Sequence, residues 1–197
     1  MEAWKNVTQN LYKGVMIQTI CGIAATVFGA ISLISKASDL ASGNWGGATS
    51  MGFSDYLIIA ANIGAIYGFW LFFSNLNPWK QLVGDEDAKT IGKIYTATIL
   101  QMVAIVLSII PFVGLIGGIL NFVAWIMLLI AYSNLKNSST FPATEGAGKI
   151  FTAMILTLVG TIIAIIPVIG IIGSIINICA FFMTLKGWKL IASSEKA

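Results

Sequence analysis

The chain contains no histidine and no arginine. Histidine is the commonest general base near neutral pH and the commonest metal ligand, so its absence removes the most usual sources of both chemistries. Arginine is the forked donor that grips phosphates and base edges. Its absence, and the lack of any basic stripe, argue against a nucleic-acid partner, even though lysine gives the chain a net charge of +3. Charge is scarce altogether: 10% of residues carry it, against roughly 25% in ordinary globular proteins. Of the two cysteines, Cys21 and Cys179, each lies inside an apolar run. They read as small hydrophobes, not as a redox pair. The sequence has no His-Glu-x-x-His and no Gly-x-Ser-x-Gly. Gly92-Lys93 and Gly148-Lys149 lack the upstream glycine of a phosphate-binding loop. The expectation is a protein that is not an enzyme, with no catalytic residues, no cofactor and no metal.

What the sequence does have is apolar mass. Of its 197 residues, 57% are hydrophobic, and the mean hydropathy is +0.90. A water-soluble fold of this length could not hide so much apolar surface, so lipid is the expected partner of the excess. The first apolar run, from near Gly14, is too long for the core of a signal peptide. A spanning helix needs about 20 mostly apolar residues. Six such runs are predicted, over residues 15–34, 56–73, 91–110, 112–135, 148–166 and 168–185. Pro111 separates the third from the fourth, and Pro167 the fifth from the sixth. A continuous helix over 91–135 would exceed about 60 Å at 1.5 Å per residue, twice the hydrocarbon thickness, so the chain must double back near Pro111.

Lysine placement orients the spans. With both termini cytoplasmic, the inner segments collect ten lysines and the outer ones only Lys36, a strong positive-inside bias. Trp4, Trp79, Trp188, Tyr95 and Tyr132 fall near the inner boundary, where an aromatic belt is expected. The predicted location is the plasma (inner) membrane, crossed several times.

The sequence repeats itself. Residues 92–139 align without gaps on 148–195 at an offset of 56, with 20 of 48 positions identical. The pairs include Gly92-Lys93-Ile94 with Gly148-Lys149-Ile150, Pro111 with Pro167, Gly114 with Gly170, Gly117 with Gly173 and Asn121 with Asn177. Lipid selects for apolar residues in general and gives no reason to match proline, glycine, asparagine and lysine one by one. A weaker third copy lies in the first two spans, where Phe73-Ser74-Asn75-Leu76 resembles Tyr132-Ser133-Asn134-Leu135 and Asn62 falls opposite Asn121. The predicted fold class is therefore all-α: a polytopic integral membrane protein of six transmembrane helices, arranged as three repeated helical hairpins over 14–75, 91–136 and 148–190 within a single membrane domain, 1–197. All three copies begin and end inside, so they are parallel repeats, unlike the inverted repeats of many transporters. The first differs at its outer turn, a polar, glycine-rich loop over 35–55.

The segment from Phe122 to Tyr132, with the flanking Gly-Lys-Ile starts, resembles small polytopic membrane-protein families of archaea and bacteria. Those families carry no established activity, so the resemblance implies a membrane fold and no site residues.

The polar residues inside the spans are the remaining candidates. Asn121 and Asn177 lie at matching depth, and Asn62 is a possible third equivalent. Gln101, Thr157, Ser108, Gln18 and Thr19 are expected to help satisfy their amides. The candidate intramembrane polar cluster is thus Asn62, Asn121, Asn177, Gln101 and Thr157. Its bland use is interhelical hydrogen bonding; its sharper use is lining a permeation route. The glycines of Gly114-x-x-Gly117 and Gly170-x-x-Gly173 are expected to bring hairpin arms together, and Gly64 with Gly68, and Ala25 with Gly29, form further small pairs. No acidic or basic residue sits in mid-span, which argues against proton pumps and voltage sensors. Gly84-Asp85-Glu86-Asp87 reads as a solvated charge run. Two functions remain. The favoured one is a non-enzymatic structural, accessory or scaffold protein of the membrane, with a protein partner or a second copy of itself. The other is a small channel or carrier using the intramembrane asparagines.

Overall fold

The structure is a computed structural model and describes residues 2–108, 114–166 and 170–195, all of whose regular elements are α-helices. In chain order they are α1 (Glu2–Ala41), α2 (Trp45–Thr49), α3 (Phe53–Gln81), α4 (Asp85–Ser108), α5 (Gly114–Lys136), α6 (Thr144–Ala164) and α7 (Gly170–Ser193). Among the described residues, six helical segments are long and apolar enough to cross a membrane: α1, the α2–α3 segment, and each of α4 to α7. The turns expected at Pro111 and Pro167 lie outside the described residues.

The helices run past their apolar cores. The sequence predicts a first span over 15–34, but α1 has 40 residues, because neither flank contains a breaker before residue 42. It ends where Gly43 adopts φ +79. There the Asn44 amide donates to the Asp39 carbonyl at 2.8 Å and the Gly43 amide to Leu40 at 3.1 Å, the paired bonds that close a helix around a left-handed glycine. The side chain of Asn44 then accepts from the Gly47 amide at 3.0 Å and starts α2. The loop expected over 35–55 is thus largely helical. α3 likewise continues through Pro78 in its last turn.

The chain forms two compact units. In the first, Lys13–Phe72, α1 meets α3 through glycine. A Cβ on Gly14 would lie 2.7 Å from the Gly68 carbonyl oxygen, and one on Gly68 would lie 2.6 Å from the Gln18 nitrogen. Gly64 makes room for the Cys21 sulfur, whereas Gly29 has open space around it. Where α3 begins, Asp55 gathers three donors: the Ser32 hydroxyl at 2.7 Å, the Lys36 ammonium at 3.1 Å and the Gly52 amide at 2.9 Å. This anchors the loop end of the unit to its helices.

The second unit comprises Met1–Tyr12 and Phe73–Ala197. Here α4 packs on α5, α6 on α7, and α5 on α6. The α6–α7 contact is backbone against backbone at two levels. A Cβ on Gly146 would stand 2.7 Å from the Gly187 carbonyl oxygen, and one on Gly173 would stand 2.5 Å from that of Gly160. The expectation that Gly173 draws two arms together matches this geometry.

One end of this unit is a packed aromatic cluster. Trp4, Trp79, Trp188 and Tyr132 are all buried. The Trp79 ring lies 5.7 Å from that of Trp188 and 5.9 Å from that of Phe141, while Tyr132 meets Trp188 edge-on at 6.2 Å. Trp4 packs edge-on against Phe141 and donates its indole N–H to the Ser194 carbonyl at 3.0 Å. These rings do not form the outward-facing belt expected from their positions. They turn inward because α1, α3, α5 and α7 each bring a ring to the same place, and rings pack well against rings. Tyr95 instead stacks on Phe73 at 5.0 Å.

Candidate functional site

Four of the polar side chains singled out in the sequence occupy matched positions along the second unit. Gln101 and Thr157 are matched at the offset of 56 on α4 and α6, and Asn121 and Asn177 on α5 and α7. At 1.5 Å per residue Thr157 is about 10 Å from the end of α6. Gln101, Asn121 and Thr157 line one open cleft of about 330 Å³ between α4, α5 and α6, together with Thr161, Phe122 and Trp125. Thr161 was not singled out in the sequence; its spacing of four from Thr157 is the signal that places both on one helix face.

The hydroxyl of Thr157 donates to the Ala153 carbonyl of its own helix at 2.9 Å. Thr19 does the same toward Val15 at 2.6 Å. These hydroxyls were expected to satisfy the amides. Their protons go instead to the carbonyl one turn back, the partner always within reach on a helix. Among the described residues the side chains of Gln101 and Asn121 make no hydrogen bond. Asn121 is exposed and Gln101 half-buried. The cleft therefore presents two primary amides, each with free donors and a free acceptor. Beside them stands a stacked aromatic pair, Phe122 and Trp125, with ring centroids 6.3 Å apart. Gly118 also lines the cleft; it is exposed, and a Cβ there would meet nothing within 4 Å.

Asn177 is placed differently. Its Oδ1 is buried, has no hydrogen-bond partner among the described residues, and occupies space that a Cβ on Gly160 would enter, at 2.5 Å. The residue 56 positions before Gly160 is Ala104. Asn121 lines the cleft, whereas the Oδ1 of its sequence counterpart is buried beside Gly160. Asn62 is exposed on α3, in the other unit.

The acidic run at Asp85–Asp87 opens α4 and complements the positive end of the helix dipole. It is not wholly solvated as expected: Asp87 is 2% exposed and accepts the Thr140 hydroxyl at 2.7 Å. With Glu86, Thr90 and Asn134 it borders a polar hollow of about 290 Å³. No group of three or more Asp, Glu, Cys or His side chains fit to hold a metal occurs among the described residues. Cys21 and Cys179 are free thiols.

No family model, curated protein or solved structure matches the chain.

Proposed function

We propose that the chain is a multi-pass integral membrane protein with a non-enzymatic, accessory role, and that the α4–α5–α6 cleft receives a polar group from another membrane-embedded protein chain. Six apolar helical segments support the membrane reading, as do exposed side chains such as Leu33, Ile34, Leu115 and Ile171 on their surfaces. The ten-to-one lysine bias supports cytoplasmic termini. The repeat at offset 56 supports parallel hairpins.

The observation that carries the functional reading is the pair of amides, Gln101 and Asn121, unpartnered among the described residues, in the cleft they share with Thr157. An amide in hydrocarbon without a partner costs about 2–7 kcal/mol, depending on the reference state. Lipid chains offer nothing to bond, so the arrangement calls for a complementary polar group. The test replaces Phe122, at the cleft's edge, with the photoreactive analogue benzoylphenylalanine and illuminates native membranes. A discrete protein adduct is expected. Adducts to lipid alone would sink the reading.

A second reading, a small channel or carrier, draws on the same cleft, which brings Gln101, Asn121 and Thr157 together. It predicts solute flux in proteoliposomes that Asn121→Ala abolishes. Flux with those properties, and no protein adduct, would replace the accessory role.

A further inference from the structure

We infer that the cleft is a self-association surface, in which Asn121 of one copy pairs with Asn121 of a second. The inference rests on the membrane reading above and names the partner the cleft receives.

Two copies inserted in the same orientation form a twofold dimer only about an axis along the membrane normal. Residues beside that axis then meet their own counterparts at equal depth. For a charged side chain such a meeting is repulsive. For a hydroxyl already bonded to its own helix, as in Thr157, it adds little. A primary amide is different, because it carries two N–H donors and a carbonyl acceptor and so complements itself. Asn121 is that residue here: exposed, on α5, and without a hydrogen bond among the described residues. The surface around it suits close approach. Gly118, one turn away on the same face, leaves open space, and small residues let helix backbones meet in a membrane. The exposed ring of Phe122, 57% accessible, supplies a knob beside that hollow. The corresponding face of α7 lacks the feature, since the Oδ1 of Asn177 is buried toward Gly160.

The experiment uses the full chain with Cys21→Ala, Cys179→Ala and Ser139→Cys. The single thiol takes donor or acceptor dye, and energy transfer is followed as protein is diluted in vesicles. A dimer is expected for this parent. Asn121→Leu should raise its dissociation constant about 3- to 30-fold, the range spanned by interhelical hydrogen bonds in membranes, and Asn121→Gln should restore most of the loss. Gly118→Leu, which meets no atom of its own chain at the Cβ, should block the approach and leave monomer. A monomeric parent, or a dimer whose dissociation constant Asn121→Leu changes less than twofold, overturns the inference. The benzoylphenylalanine adduct separates the two proposals. An adduct to a different protein, with no energy transfer, keeps the accessory role and overturns self-association; an adduct to lipid alone overturns both.

Discussion

A methyl group added at Gly173 probes how α6 and α7 are held together. The three atoms nearest a Cβ at that position are all backbone: the Ala164 nitrogen at 2.5 Å, the Gly160 oxygen at 2.5 Å and the Ala164 Cα at 2.9 Å. None can rotate aside, as a side-chain tip would. Carbon contacts are ordinarily most favourable near 3.5–4.0 Å, so the helices must part by about 1 Å or bend. Overpacking of this kind costs about 1–3 kcal/mol, and backbone neighbours place it at the upper end. Alanine recovers up to about 1 kcal/mol through its better helix propensity. The net expectation for Gly173→Ala is a loss of about 2 kcal/mol. Gly160→Ala should lose less, because its nearest contact is the Asn177 side-chain oxygen, although the Gly173 carbonyl still stands at 2.9 Å. Adding Asn177→Ala should relieve part of that loss, as it removes an oxygen that is buried and unpartnered. Gly118→Ala is the control and should be neutral or stabilising by up to about 1 kcal/mol. Equilibrium unfolding in mixed micelles, followed by tryptophan fluorescence, measures all four. If Gly173→Ala proves as stable as Gly118→Ala, the helices are not held by backbone contact and the reasoning fails.

Three further outcomes can be measured in the same assay. Trp79 is fully buried and its indole N–H has no partner among the described residues, whereas Trp4 donates to Ser194. Trp4→Phe should therefore cost about 1–2 kcal/mol more than Trp79→Phe, and equal losses would show that the Ser194 bond contributes nothing. Asp55→Ala removes the acceptor shared by Ser32, Lys36 and Gly52 and should lower the unfolding midpoint; an unchanged midpoint would refute the anchoring role given to it. Thr140→Val leaves Asp87 without the hydroxyl at 2.7 Å and should cost about 1.5–3 kcal/mol, so a neutral result would mean that the bond does not hold the α4 start to the loop at Thr140.

Helix number and position were legible because apolar runs of about 20 residues have few other uses. Helix ends were not. Residues 2–14 and 35–41 are polar enough to read as flanks, yet they contain no proline, and α1 ends only where Gly43 supplies positive φ. The aromatic cluster was misread as a belt because depth in a span says nothing about which way a ring faces. The candidate polar site was half legible. The offset of 56 placed Gln101, Asn121, Thr157 and Asn177 at one level, and three of them share a cleft. The fourth does not: its Oδ1 is buried beside Gly160, a neighbour that the spacing of the repeat does not reveal.

The membrane reading underlies every functional statement, and the most direct test of it is sidedness. Single cysteines at Ser42 and Ser139, on the cysteine-free background, are labelled in intact cells with a membrane-impermeant maleimide. The account predicts labelling at Ser42, and none at Ser139 until the membrane is opened. Labelling of Ser139 in intact cells, or of neither site after opening, would contradict it.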